Sequence, residues 1–368
     1  MPKRNGRPLM APLGLLVTLL TLGSYAALRP IPTRVPPDAV QSTVGMVDES
    51  TCAECHSEAD SFAQTGHART LRPANDPLSL DLLRQMAAAD KPRQAGLDIE
   101  FRDDKVLAVH RAGDRERKVE LKWCFGSGEH ACTWTSTLPD SLGAIDLLEF
   151  RYTWFHGEGV FDISPGQPQQ DSAGYFGPLG VLFDGPKARR CFSCHTTYLP
   201  IRDGVIEEAH VRGGVTCQRC HGPRARHVAS EGEFRDPRWK VQDQMDAIHR
   251  CAQCHRRAEE QPPESIWPGN PDIVRFQPVG LVQSACFQNS AMTCTTCHDP
   301  HRPLADQNSR GRWQCIQCHD PDADHHVTCA AGEMDGCIDC HMPSVRMEAP
   351  IEFTDHWIRV VGATERKP

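Results

Sequence analysis

The chain has 368 residues, a formal net charge of −8 and 18 cysteines. Its length allows two domains, and its mild acidity argues against nucleic acid as a partner. With 29 prolines and 28 glycines, much of the chain is expected in turns and loops. The cysteine content is far above ordinary usage, so it is the first feature of the composition that needs an explanation.

Residues 1–28 are predicted to be a signal peptide or an N-terminal membrane anchor. A basic cluster ends at Arg7, and an apolar stretch follows from Leu9 to Leu28, which is the order of regions in an export signal. The stretch is also close to the roughly 20 residues that span a bilayer, so cleavage and retention both stay open. Residues 29–49 are proline-rich and predict a stiff linker that would hold a folded domain away from a membrane.

The sequence Cys-X-X-Cys-His first occurs at residue 52 and is found seven times along the chain. It is typical of c-type haem attachment, because both thiols can bond to one haem while the histidine ligates its iron. Numbered 1–7 in chain order, these haem sites have as their cysteines Cys52 and Cys55, Cys191 and Cys194, Cys217 and Cys220, Cys251 and Cys254, Cys294 and Cys297, Cys315 and Cys318, and Cys337 and Cys340. Their histidines are His56, His195, His221, His255, His298, His319 and His341. The sequence therefore predicts seven covalently attached haem c groups.

Zinc binding and disulfides are the two alternatives to haem at these cysteines. The spacings from Cys297 to Cys315 and from Cys318 to Cys337 are close to those of a four-cysteine zinc ribbon. A ribbon needs no histidine after its second cysteine, whereas all seven pairs have one. A disulfide inside each pair is also disfavoured, because such short bridges are usually redox-active and not structural. The recurring histidine favours haem.

Residues 50–94 carry haem site 1, and residues 95–165 are predicted to be a β-rich insert. In the first segment, His67 has no attachment role and is a candidate for the sixth ligand of an iron. A short helix is predicted from Ser79 to Ala89, with Ser79 as its N-cap. In the second segment, several runs of alternating apolar residues predict short antiparallel strands.

Four cysteines lie outside every haem motif. Cys124 and Cys132 flank a predicted hairpin turn and are expected to form a disulfide across it. Cys286 and Cys329 are expected to form a second disulfide by elimination alone. Free thiols are the alternative for both pairs, and the oxidising compartment of an exported chain disfavours them.

Residues 166–368 are predicted to form a multihaem domain that holds haem sites 2–7. The last three sites begin at Cys294, Cys315 and Cys337, which leaves no room for ordinary domains between haems. The haems must therefore nearly touch, and most of the polypeptide must wrap them. The expected fold class is mainly α with little regular structure, a haem-packed multihaem cytochrome c with a small antiparallel β-insert between haem sites 1 and 2.

Three segments carry a resemblance to a known family. They are Gly214–Pro223 with His227, Cys294–His301, and Cys337–Pro343 with His356. In these segments, and more broadly over about residues 50–70 and 185–357, the chain resembles the multihaem c-type cytochromes related to the nitrifier tetrahaem cytochrome, the hydroxylamine-oxidoreductase-like group and the octahaem proteins. The resemblance implies that His227, His301 and His356 are sixth ligands. It also implies that the first two generally serve a haem other than the one just upstream.

The other ligand candidates rest on position and on the number of histidines. Of the 18 histidines, the seven in the motifs leave eleven, which is enough for a sixth ligand on every iron. Besides His67, the candidates of this kind are His130, His249, His210, and one of His325 or His326. Met342 is an alternative ligand, and its thioether would raise the potential of the haem that it bound.

The catalytic members of the similar group depart from this chain. Their nitrite reductases often carry a Cys-X-X-Cys-Lys motif, which is absent here, and none of the four tyrosines lies in a recognisable motif for a haem cross-link. We therefore assign no catalytic residue and favour an electron carrier over an enzyme.

The expected function is electron transfer along closely spaced haems, most of them with two histidine ligands, in an exported heptahaem cytochrome. The alternative is a multihaem oxidoreductase with one open haem that acts on a small nitrogen or sulfur compound. A third possibility is a β-domain binding module that uses the haems as scaffold. The expected partners are other redox proteins or a membrane quinol-oxidising complex, and the expected location is periplasmic or extracytoplasmic, with an N-terminal anchor if the apolar helix is not cleaved.

Overall fold

The computed structural model describes residues 42–139, 145–170, 174–235, 241–307, 310–319, 336–348 and 350–361. The predicted export segment, together with His325, His326 and Cys329, lies outside these ranges. Within them, no helix is both long enough and apolar enough to cross a membrane.

The fold is a mixed α/β fold, so the prediction of a mainly α protein is wrong. Of the described residues, 33% are helical and 25% lie in strands. The β-rich part is larger than the small insert that was predicted. Segments on both sides of residues 95–165 add strands to it. The division of the chain at those residues stays a prediction.

The strands are β1 (Leu71–Pro73), β2 (Leu97–Arg102), β3 (Lys105–Ala112), β4 (Arg115–Leu121), β5 (Trp123–Phe125), β6 (Ala131–Pro139), β7 (Ile145–Phe155), β8 (Val160–Ile163), β9 (Gly180–Phe183), β10 (Thr196–Tyr198), β11 (Ile201–Arg202), β12 (Val205–Ile206), β13 (Arg212–Gly213), β14 (Ser344–Arg346) and β15 (Glu352–Thr354). All of their pairings are antiparallel. The alternating runs after residue 95 do form strands.

The helices are α1 (Ser50–Ala53), α2 (Ala59–Phe62), α3 (Pro77–Ala88), α4 (Asp90–Gln94), α5 (Gly185–His195), α6 (Cys217–His221), α7 (Ala225–Ala229), α8 (Gln244–His255), α9 (Gln277–Leu281), α10 (Ala285–Gln288), α11 (Cys294–Cys297), α12 (Arg310–Ile316) and α13 (Cys337–His341). Single 3₁₀ turns lie at Glu208–His210, Ala258–Glu260, Pro263–Ser265 and Leu304–Gln307. Most helices are one or two turns long, which fits a chain that is rich in proline and glycine.

Two sheets make up the β-region. Strands β2, β3 and β4 form a three-stranded meander, and β1, β5, β6, β7 and β8 follow one another in a second sheet, where β9 pairs with β7. Asp103 turns the chain between β2 and β3 with a φ of 52°. Gly126 begins the hairpin between β5 and β6 with a φ of 99°, and a Cβ there would collide with the carbonyl of Ala131, so this turn requires glycine.

The main apolar core lies between these sheets and α3. Trp134 and Phe150 are fully buried in it, and α3 contributes Leu83 and Met86. The indole of Trp134 donates a hydrogen bond of 2.8 Å to the hydroxyl of Ser79. Ser79 is therefore a buried residue inside α3, and Asp76 caps the helix by accepting from the backbone N–H of Leu78.

A second apolar cluster joins the β-region to haem site 2. It contains Leu71 of β1, Leu147 of β7, and Ala188 and Phe192 of α5. In the part of the chain that carries the later motifs, the described cluster of buried apolar residues is small and consists of Ile248, Leu281 and Phe287. The sheets thus share a large apolar core, whereas the described cluster among the later haem motifs is small and other buried apolar side chains there, such as Val274 and Val279, lie outside it.

Replacing Trp134 with alanine should lower the free energy of unfolding by about 3–5 kcal/mol, because the loss of a fully buried indole leaves a cavity and removes its hydrogen bond to Ser79. Denaturant unfolding followed by far-UV circular dichroism measures the change. Phe101→Ala is the matched control, since Phe101 is 43% exposed and its loss should cost about 0.5 kcal/mol or less. Equal losses in the two variants would contradict the position of the core.

Candidate haem sites

Four motif histidines face four histidines that lie outside the motifs. The ring centroids are separated by 6.3 Å for His56 and His227, and by 6.1 Å for His255 and His67, for His221 and His301, and for His298 and His356. The two rings of the first and third pair are stacked at 28° and 18°, and those of the second are at right angles.

The separations suit a metal ion held between two imidazoles. Two metal–nitrogen bonds of about 2 Å, added to the distance from each nitrogen to its ring centre, place the centroids roughly 6 Å apart. Ordinary aromatic pairs also occur at such separations, so distance alone does not decide. The composition of the pairs favours metal sites, because each pair joins one motif histidine to one histidine without an attachment role.

A histidine that follows one motif in sequence faces the histidine of a different motif. His227 lies six residues after the motif histidine His221, yet it faces His56. His301 follows His298 closely, yet it faces His221. The resemblance described above implies the same pattern for these two residues. Each pair therefore ties together segments that are distant in sequence.

The Nδ1 atoms of several of these histidines are held by hydrogen bonds. His227 donates to the carbonyl of Phe234 at 2.9 Å, and His356 to the carbonyl of Thr354 at 2.9 Å. His255 donates to the side-chain oxygen of Gln277 at 3.0 Å. A carbonyl or amide oxygen can only accept, so the proton is on Nδ1 and Nε2 is left as the metal ligand, as in other metal sites.

Three more Nδ1 bonds follow the same rule. His195 lies 3.1 Å from the carbonyl of Thr70 and 2.7 Å from its hydroxyl. His341 donates to the carbonyl of Arg359 at 2.8 Å. His301 donates to Oδ1 of Asp299 at 3.2 Å. The same kind of Nδ1–H hydrogen bond thus orients histidines of the motifs and histidines outside them.

Desolvation favours the neutral form of five of the facing imidazoles. Burial, with a smaller contribution from neighbouring histidines, lowers the pKa of His67 and that of His356 to about 4. Burial also lowers the pKa of His255, His298 and His221. A neutral imidazole is the form that binds a metal, so these histidines are ready to ligate iron at neutral pH.

The described residues do not gather a zinc ribbon. Across the ranges that the structure covers, the group with three or more close metal-binding side chains is Glu49, Cys52 and Cys217, whose ligand atoms lie within 4.8 Å of one another. Its two cysteines come from different motifs. Cys297, Cys315, Cys318 and Cys337 form no such group there, which disfavours the zinc alternative.

The β-region borders haem site 2. The ring of Phe125 lies 5.2 Å from that of His195 and 5.2 Å from that of Phe192. The carbonyl of Thr70, which accepts from His195, also accepts from the backbone N–H of Gly126. The hairpin between β5 and β6 therefore fixes the orientation of this motif histidine.

The weaker ligand candidates are not placed against a motif imidazole within the described ranges. His130 packs on Phe353 at 5.2 Å, and burial lowers its pKa. Nε2 of His249 is buried and accepts or donates no hydrogen bond there. His210 ends an exposed 3₁₀ turn, and Met342 directly follows α13. Their assignment as ligands stays a prediction.

Cys124 and Cys132 are both fully buried and lie against each other across the β5–β6 hairpin. They are not joined in this structure. Burial raises the pKa of the Cys124 thiol, and the guanidinium of Arg72 donates a hydrogen bond of 3.2 Å to Sγ of Cys132. The disulfide stays a prediction, and so does that between Cys286 and Cys329.

Sequence reasoning missed the residues that hold the imidazoles. Thr70, Gln277 and the Phe234 carbonyl belong to no motif, and only the folded chain brings them to a histidine. Asp299 is different, because it lies two residues before His301. Short polar side chains commonly bond groups two positions along the chain, so that contact could have been found.

Comparisons with known proteins give two similarities. The sequence profile of the family described as cytochrome c554 and c-prime matches residues 182–222, which contain haem motifs 2 and 3. The structure is similar to that of the outer cell wall cytochrome OcwA, with a TM-score of 0.53 and 15% sequence identity over 86% of this chain and 80% of that chain.

No curated protein matches the sequence at a significant level. The profile covers a small part of the chain, and a likeness at 15% identity shows a shared fold. The profile match over haem motifs 2 and 3 supports a c-type cytochrome, and the structural likeness shows a fold shared with a multihaem cytochrome. The narrower relation to the hydroxylamine-oxidoreductase-like group stays a prediction.

The free energy of unfolding should fall as the pH is lowered from about 6.5 towards 4, because His67 and His356 are neutral in the fold and become protonated when the chain unfolds. Each such imidazole should take up about one proton on unfolding in that window. Denaturant unfolding at several pH values measures the dependence.

The matched pair of variants is His356→Gln and His156→Gln. The first should take up about one proton fewer on unfolding near pH 5, whereas the second, at an exposed position, should behave like the parent. An unchanged pH dependence in His356→Gln would show that this imidazole is not shielded from protons.

Proposed function

We propose that this protein is an exported heptahaem c-type cytochrome that transfers electrons along a row of closely spaced haems. The observation that carries the proposal is the set of four facing histidine pairs, each joining a motif to a histidine elsewhere. Haem iron with two histidine ligands cycles between its ferric and ferrous forms without binding a substrate. The residues present therefore suit electron transfer better than substrate chemistry.

The proposed axial ligand pairs are His56 with His227, His221 with His301, His255 with His67, and His298 with His356. Covalently bound haem c would supply the redox-active iron between the two rings of each pair. The chain itself orients His227, His301, His255 and His356 through their Nδ1 bonds. Burial favours the neutral, metal-binding form of His67, His221, His255, His298 and His356.

Contacts between cysteines of different motifs support an order for the haems. Ligand atoms of Cys52 and Cys217 are within 4.8 Å, and the thiols of Cys251 and Cys294 share a hydrogen bond. Because each of these sulfurs would be bonded to the edge of a porphyrin, neighbouring sulfurs mean neighbouring porphyrin edges. Site 1 thus lies beside site 3, and site 4 beside site 5.

The remaining neighbours complete a row. The thiols of Cys315 and Cys337 share a hydrogen bond, which puts site 6 beside site 7. Cys251 raises the pKa of Cys220 through its nearby charge, and Cys297 does the same to Cys315. The inferred row is therefore 1–3–4–5–6–7.

Site 2 would branch from this row. The thiol of Cys254 in site 4 lies 3.8 Å from the carbonyl of Cys194 in site 2. The β-region packs against site 2 through Phe125. A branch held by a rigid sheet would give electrons a second way into or out of the row.

Exposed cysteines support partner docking near sites 1, 3 and 6. Cys55, Cys220 and Cys318 are exposed, and Trp313, two residues before Cys315 of site 6, is 60% exposed. Haem edges near the surface would let other redox proteins, or a membrane quinol-oxidising complex, exchange electrons with the row. The location outside the cytoplasm rests on the N-terminal export signal and on the haem attachment motifs.

Seven covalent haems should be present in the mature protein. Its intact mass should exceed that of the polypeptide by seven haem groups, because each motif supplies two thiols. Mass spectrometry under denaturing conditions measures this directly. Six or fewer haems in a fully matured sample would contradict the number, and bound zinc would contradict the haem assignment.

Replacing His301 with alanine should open one iron to exogenous ligands. The variant should show a new high-spin signal and bind carbon monoxide at one site, while the parent binds little and both keep seven haems, since attachment does not use His301. His156→Ala is the matched control at an exposed histidine. A variant spectrum identical to the parent's would remove His301 from the ligands, and a parent that binds carbon monoxide tightly would favour the oxidoreductase alternative.

A further inference from the structure

Asp299 differs from every other acceptor at a ligand imidazole described above. Of the six Nδ1 bonds, five end on neutral oxygens, those of Thr70, Phe234, Gln277, Thr354 and Arg359. The sixth joins His301 to the Asp299 carboxylate at 3.2 Å. A carboxylate that accepts from Nδ1–H gives the imidazole more negative character and makes it a stronger ligand.

The position of Asp299 is fixed by its neighbours. Its Oδ1 also accepts from the backbone N–H of His301 at 3.0 Å. The buried side chain of Gln307 accepts from the backbone N–H of Asp299 at 2.8 Å and donates to its carbonyl at 2.9 Å. Asp299 is 26% exposed, so water screens it only in part. Hydrogen bonds within this loop therefore hold the carboxylate in position.

The guanidinium of Arg302 lies close to the carboxylate. Nε of Arg302 is 3.6 Å from Oδ2 of Asp299, and the Arg302 side chain is 58% exposed. An exposed pair of this kind is weak. Arg302 therefore offsets only a part of the negative charge that Asp299 presents to His301.

We propose that Asp299 is a positioning residue that makes the iron between His221 and His301 harder to reduce than the irons whose ligands bond neutral oxygens. The inference rests on the proposed axial pair at haem site 3. A stronger and more negative ligand stabilises ferric iron over ferrous iron. In the inferred row, site 3 separates site 1 from site 4. The haem at site 3 would be reduced least often, and electrons would reside mainly on the haems on either side of it.

The test is a redox titration of the haem-loaded full chain, followed by electron paramagnetic resonance of the ferric haems. The signal that is lost in His301→Ala identifies the iron of interest. Asp299→Asn keeps an oxygen that can accept from the backbone N–H of His301, but removes the charge. In this variant the ferric-to-ferrous ratio of that iron at a fixed potential should fall about tenfold, an upward shift of about 59 mV for one electron.

Two further variants separate this effect from a general change of charge. Asp306→Asn removes the same charge from an exposed position in the same loop and should shift the site 3 signal much less. Arg302→Gln removes the partly neutralising cation and should shift it in the opposite direction. Similar shifts in Asp299→Asn and Asp306→Asn would overturn the inference.

Failure of the inference is distinguishable from failure of the proposed function. If His301→Ala removes one low-spin signal but Asp299→Asn leaves its potential unchanged, Asp299 only shapes the loop and the electron-transfer proposal stands. If His301→Ala removes no signal, the ligand pair is wrong, and the role of Asp299 is overturned with it.

Discussion

The constraint on which the haem-motif segments depend is the facing of imidazoles from distant parts of the chain. His56 and His227, or His298 and His356, meet although many residues separate them. The described apolar cluster in this part has Ile248, Leu281 and Phe287 as its buried members, and a few further apolar side chains, such as Val274 and Val279, are buried outside it. This is much less apolar packing than the β-region has to offset the entropy of ordering the chain. In the proposed holoprotein, axial bonds and porphyrin faces would provide what the side chains do not.

The β-region is organised by different forces. Its residues bury Trp134, Phe150 and their neighbours between two sheets and α3, so it is held together by apolar packing that needs no cofactor. The two regimes meet at haem site 2, where Phe125 contacts His195 and Thr70 orients its imidazole. A rigid sheet at this point fixes one motif independently of the others, which suits the branch position inferred for it.

The sequence was informative where a short local pattern, such as Cys-X-X-Cys-His or alternating apolar residues, is typical of one structure. The seven motifs could be identified from their spacing, and the alternating runs after residue 95 predicted strands correctly. His227, His301 and His356 were expected from the family resemblance and not from spacing. The size of the β-region was not predictable, because β1 and β9 are short and pair only through contacts with distant strands. The partner of each imidazole was equally hidden, since a carbonyl such as that of Phe234 has no signature in sequence.

Diffraction from crystals of the haem-loaded protein at the iron absorption edge would test the central claim most directly, because it locates iron without reference to the polypeptide. The account predicts an iron atom midway between the two rings of each of the four pairs His56 and His227, His221 and His301, His255 and His67, and His298 and His356. Irons bound to the motif histidines but with other groups on their opposite faces would contradict it.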